Sequence, residues 1–135
     1  MTTVPKLHDH TKAVIDALKA AGLAVGTGKA PDGASPPYLV VFPYPGPPPD
    51  GPVNDRYADA YPNVLVRAVG LTQDSAEIYA DRARQAILTA ALSVPGRDVT
   101  QVTVETPQPA QQDNDVTPPL WYSTDIYGVW TTPST

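Results

Sequence analysis

Proline decides where this chain can build regular structure. It occurs 17 times in 135 residues. Each proline lacks a backbone donor and holds φ at about −65°, so helix interiors and central strands exclude it. The placement is uneven. Nine lie between Pro31 and Pro52, and Pro5, Pro95, Pro107, Pro109, Pro118, Pro119 and Pro133 bracket segments with helix or strand patterning. Only Pro62 intrudes on a predicted strand, near its start. The excess therefore marks one place on an otherwise ordinary core.

Between the prolines the hydrophobic period assigns elements. Leu7, Thr11, Val14, Leu18 and Ala21 repeat at three and four, which predicts a helix from Pro5 to Ala21, with Thr3 as cap and Gly22 as stop. Leu23-Ala24-Val25 suits a short strand. Tyr38 to Phe42 is an uninterrupted apolar run, as a strand buried on both faces would be. Tyr61 to Leu71 predicts a second long strand, with Val64, Val66 and Ala68 opposite Leu65, Arg67 and Val69. A second helix is expected over Ser75–Leu92, with Thr72 or Asp74 near its cap and Ala76, Tyr79, Ala80, Ala83, Ile87, Ala90 and Ala91 as its stripe. Val99 to Thr106 alternates as a half-exposed strand. A polar loop, Pro107–Pro119, precedes an aromatic strand from Leu120 to Thr131.

The order α-β-β-α-β-β predicts an α+β fold. Two helices would cover one face of a four-stranded, mostly antiparallel sheet, in a single domain spanning 1–135. Residues 43–60 would form an extended proline-rich loop of polyproline II character.

Charge and composition exclude several functions. Nine basic against fourteen acidic residues give a net charge of −5. Such a chain repels nucleic-acid phosphate, and no basic cluster reverses this. No apolar run approaches the length of a membrane span, and no secretory signal is visible at the N-terminus. Cysteine is absent, which removes disulfides, thiolate nucleophiles and thiolate metal sites.

Individual motifs read plainly. His8-Asp9-His10 hints at metal, but imidazoles two apart on a helix diverge, so a solvated helix face is expected. Gly26-Thr27-Gly28-Lys29 lacks the spacing and the hydroxyl of a phosphate loop, and reads as a turn. Asp113-Asn114-Asp115 is followed by Val116-Thr117-Pro118-Pro119 rather than by further calcium ligands, and also reads as a turn. With histidine only at positions 8 and 10, no Ser-His-Asp set can be assembled. No cofactor, metal or catalytic residue is therefore expected. Pro45-x-x-Pro48 and Pro49-x-x-Pro52 have the form of a proline-rich ligand; with Tyr44 beside them they would serve as an arm for a partner or as a stiff surface loop.

Three stretches together resemble a known family. They are Val4-Pro5-Lys6-Leu7-His8-Asp9-His10 with Pro31-Asp32-Gly33-Ala34-x-x-Pro37-Tyr38-Leu39-Val40-Val41; Ala80-Asp81-Arg82-Ala83-Arg84; and Asp113-Asn114-Asp115-Val116-Thr117-Pro118-Pro119-Leu120-Trp121-Tyr122. Their order and spacing resemble the tail terminator (tail-completion) proteins of long-tailed bacteriophages, especially those of actinobacterial hosts. The segment Pro43–Pro52 is richer in proline than that family leads one to expect.

The resemblance implies a non-enzymatic virion protein at the head–tail junction, present in the host cytoplasm during assembly. It implies a homohexameric ring that caps the tail tube protein, ends tube growth and meets the head–tail connector protein. DNA would pass through without specific binding, and no membrane is involved. On this reading Tyr44, Pro47, Pro48, Pro49, Trp121, Tyr127 and Trp130 are candidates for subunit or tube contacts. Six copies would carry about −30, with Asp50, Asp55 and Asp59 as candidates for an acidic lumen. Two alternatives are a head-completion, neck or tube protein, and a monomeric binding module with a proline-rich ligand segment.

Overall fold

The computed structural model describes residues 6–44, 59–106 and 108–134. The elements are α1 (Leu7–Ala20), β1 (Val25–Thr27), β2 (Tyr38–Tyr44), β3 (Asn63–Gly70), α2 (Gln73–Thr89), β4 (Arg97–Glu105), β5 (Gln111–Asp113) and β6 (Leu120–Pro133). They form an α+β fold with one six-stranded mixed sheet in the order β1-β2-β3-β6-β4. The short β5 also pairs with β6, on the edge it shares with β4.

Six strands replace the four expected; the sheet is mostly antiparallel, as expected, with one parallel pair. β1 runs parallel to β2, with Val25 opposite Leu39. β5 falls inside the expected polar loop, because Gln111-Gln112-Asp113 has no apolar residue to announce a strand. β2 also runs two residues further than predicted. The Leu39 N–H donates to Ala24 O at 2.8 Å, so alternate residues of β2 turn their nitrogens toward β1. Pro43 shares that orientation but lies beyond the end of β1, where no ladder bond needs its missing N–H.

Both helices pack on the same face of the sheet. Val14, Ile15 and Leu18 of α1 and Tyr79, Ala80, Ala83 and Ile87 of α2 meet Leu39, Val41, Val64, Val66, Ala68, Tyr127 and Val129 from the strands. Leu18 and Ile87 are fully buried, and each contributes about 1.5–3 kcal/mol on leaving water. α2 starts at Thr72, whose Oγ1 accepts from the Ser75 N–H at 3.1 Å. The helix ends at Thr89, before the predicted limit, and Ala91 is exposed. Pro95-Gly96 instead forms a tight turn between Val94 and Arg97, with Gly96 at φ +72°.

α1 is rotated from its predicted stripe. Its buried residues are His10, Thr11, Ala13, Val14, Ile15 and Leu18, whereas Leu7 and Ala21 are exposed. His10, expected in solvent, is fully buried because the far end of the sheet offers its ring polar partners. Of the 43–60 loop, Pro43 and Tyr44 belong to β2 and Ala60 bridges Thr131; residues 45–58 lie outside the described residues.

Candidate interaction face

The helices cover one face of the sheet and leave the other without a helix, a bare face on which Val40 and Val69 are nonetheless buried and Tyr38, Phe42, Leu65, Tyr122 and Ile126 half-exposed. Side chains alternate along a strand, so every second residue of β2, β3 and β6 points to this second face. The register stacks them in rows. Tyr38, Val69 and Tyr122 form one; Val40, Arg67 and Thr124 the next; Phe42, Leu65 and Ile126 a third; Tyr44, Asn63 and Gly128 the last. The result is an aromatic and aliphatic surface with one cation at its centre.

Arg67 organises that centre. Its guanidinium carbon stands 4.8 Å from the Tyr122 ring centroid and 5.9 Å from that of Phe42. Such cation–π contacts hold a half-buried guanidinium over an apolar floor. Among the described residues, no carboxylate lies within ion-pair distance of it. Tyr122 is fixed by its hydroxyl, 2.8 Å from Gln111 Oε1 of β5. Two clefts meet at Arg67 and Tyr122. The larger, about 720 Å³, runs past Tyr38 and Phe42 to Lys29 and the loop after β5. The smaller, about 320 Å³, runs past Leu65 and Ile126 to Tyr44.

The candidate contact residues divide. Tyr44 is exposed at one end of the bare face, and Trp130 is exposed on β6 in a T-shaped contact with Tyr61, 4.7 Å between centroids. Trp121 is half-buried. Tyr127 corrects the expectation: it is fully buried in the core under the helices, so its side chain offers nothing to a partner. Its place on β6 has the parity of Ser123, Asp125 and Val129, which all face the helices. Pro47, Pro48, Pro49, Asp50 and Asp55 lie outside the described residues. Asp59 is half-buried; burial holds the Arg97 pKa below its usual value, and the nearby Asp59 carboxylate partly opposes this.

Two polar clusters on the helix side escaped sequence reading. In the first, His10 Nδ1 is 2.8 Å from Lys6 O and Nε2 is 2.7 Å from Thr131 Oγ1. A carbonyl only accepts, so Nδ1 carries the proton and Nε2 accepts from the threonine hydroxyl. Thr131 Oγ1 in turn accepts from Arg97 Nε at 2.8 Å. Burial holds the His10 pKa below its usual 6.5, against the pull of the Lys6 carbonyl, and Arg97 lowers it further.

In the second cluster, the buried Asp125 accepts from Arg84 Nη2 at 2.9 Å and from Thr106 Oγ1 at 2.6 Å. Arg84 also reaches Asp81 at 2.7 Å. Burial works against the Arg84 charge, but Asp125 and Asp81 outweigh it, so the guanidinium holds its proton more tightly than usual. Tyr127 is pushed to a higher pKa by burial and by Asp125. Its hydroxyl has no hydrogen bond of normal geometry among the described residues. The signal for this cluster was a carboxylate at a core-facing position of an aromatic strand.

The turn motifs are ordinary. Asp113 Oδ1 accepts from the Asp115 N–H at 3.0 Å, a local turn bond. Gly26 lies in β1 where an added Cβ would strike the Lys29 carbonyl, so close turn packing explains that glycine. His8 is exposed while His10 is buried, so the two do not share a ligand. Among the described residues, no group of three or more acidic or histidine side chains is arranged to hold a metal. No helix there is long and apolar enough to cross a membrane. No protein-family model matches the chain, and no curated protein matches it.

Proposed function

We propose that this chain is a structural subunit that caps the tail tube of a long-tailed bacteriophage, assembling as a ring and meeting the head connector. The observation that carries the proposal is the bare sheet face. It is a half-exposed aromatic and aliphatic surface that extends across three strands, next to a nine-residue outer strand, β4, whose far edge has no partner among the described residues. Single scattered apolar residues on a surface need no explanation; a continuous tract with a free strand edge is material for assembly. A ring needs two different surfaces on each copy, one to give and one to receive. The order of the three sequence motifs supports the tail-terminator assignment within that class.

The acidic balance fits the same role. A net charge of −5 per copy disfavours adhesion of DNA to a passage through the ring. The test is co-expression of this chain with the tail tube protein of its phage, followed by negative-stain microscopy and mass measurement. Sixfold rings on one end of tubes of uniform length are the expected result. Tubes that lengthen without limit, with the chain unattached in solution, would overturn the proposal.

A further inference from the structure

We infer that the bare face of one copy receives the proline segment, residues 45–52, of a second copy. Two features then explain each other. The first is the face itself. Proline-rich strands in the polyproline II conformation dock into aromatic-lined grooves, where the preformed helix limits the ordering cost. Tyr38 and Tyr122 lie in one row with Val69 between them, two strand spacings apart, which is about 9–10 Å. The rise of three residues in polyproline II is about 9.3 Å. Pro45 and Pro48, or Pro49 and Pro52, thus match that pair of rings, with the ligand crossing the strands.

The second feature is charge. The segment carries Asp50 directly after Pro49, with Asp55 further on. Arg67 stands at the junction of the two clefts with no carboxylate of the described residues in reach. Lys29 adds a second cation at the rim of the larger cleft, although it already contacts Asp32 at 3.6 Å. Asp113 and Asp115 line the same cleft and would repel an acidic ligand beside them. The acidic end of the segment is therefore directed to Arg67.

A second copy is the better donor than the same chain. Tyr44 ends β2 at the opposite end of the face from Tyr38. To lie on the Tyr38 row of its own sheet, the chain would have to reverse within its first residues after Tyr44. That row lies six strand residues, about 20 Å, back from Tyr44, whereas the four or five residues from Tyr44 to Pro48 or Pro49 span at most about 14–18 Å. The inference rests on the ring reading only in requiring a neighbouring copy.

The test uses a full-length variant in which residues 45–52 are replaced by four Gly-Ser pairs, and a fluorescent peptide with the sequence of residues 43–55. Anisotropy should show saturable binding of the peptide to this variant. Arg67→Gln in the same background should weaken it about tenfold, and Tyr122→Leu should weaken it as well. Absence of saturable binding, or equal binding by the Arg67→Gln protein, would overturn the inference. So would a native chain that is monomeric yet still excludes the peptide, since its own segment would then fill the face. Tubes capped normally by the Gly-Ser variant would remove this inference and leave the ring reading intact. Peptide binding to the Gly-Ser variant beside tubes that the native chain leaves uncapped would do the reverse.

Discussion

Replacing Arg84 by methionine removes the charged partner of a carboxylate that water does not reach. Asp125 is 2% exposed, and its two donors are Arg84 at 2.9 Å and Thr106 at 2.6 Å. Breaking a fully buried pair from one side costs about 3–5 kcal/mol. The Arg84 side chain is one-third exposed, so solvent already screens part of the attraction, and about 2–3 kcal/mol is the expected loss here. Asp125→Leu alone should cost less than Arg84→Met, because Arg84 can swing to Asp81 and water. The double variant Arg84→Met/Asp125→Leu puts apolar groups on both sides and should recover most of the loss, ending within about 1 kcal/mol of the native protein. Urea denaturation followed by circular dichroism reads all four proteins, provided the slope with denaturant stays constant. If Arg84→Met costs under about 0.5 kcal/mol, or the double variant is worse than either single one, the view of Asp125 as a charge held by its partner is wrong.

Two further outcomes follow from the same side of the sheet. The folded chain protonates His10 at a lower pH than the unfolded chain does, so the unfolded state binds more protons as pH drops below 6.5. Stability from this group is therefore complete above 6.5 and falls as pH passes down through the lowered folded value; urea midpoints measured between pH 7.5 and 5 should drop less in His10→Gln than in the native chain. Gly26→Ala should destabilise by about 1–3 kcal/mol, because its Cβ meets the Lys29 carbonyl rather than a yielding side chain, and a thermal scan will show the loss.

Periodic and continuous apolar signals carried much of the fold. β2 and β3 announced themselves by β-branched runs, and α2 by its alanine stripe and threonine cap. Both helices do lie on one face. β5 was silent, since its three residues are held by backbone pairing with β6 and by the Tyr122–Gln111 bond rather than by burial of their own side chains. The rotation of α1 was silent for a related reason. His10 counts as polar in any pattern, yet one carbonyl and one threonine hydroxyl satisfy both ring nitrogens and let it take a core position. For the interaction face, the alternation in β3 placed Arg67 on the opposite side from Val64, Val66 and Ala68. What one strand could not show was that Tyr122, more than 50 residues later, would be brought beneath it. Tyr127 and Trp130 looked alike as aromatic residues of one strand; an odd number of residues between two positions preserves a face and an even number reverses it, which is why one is core and the other surface.

The position of β6 in the sheet imposes an order on synthesis. It is the last of the six strands along the chain, yet it sits between β3 and β4 and is also the strand on which β5 is built. While the ribosome is still making the residues before Leu120, β2 and β3 can pair as a hairpin against α1 and α2, but β4 has no neighbouring strand among the described residues. The nascent chain must carry an open β3 edge and an unpaired β4 until β6 emerges to zip the two together. Such exposed edges are the sites where newly made chains stick to one another. Substitutions that slow the insertion of β6 should therefore lower the yield of soluble protein more than they lower the stability of the molecules that do fold.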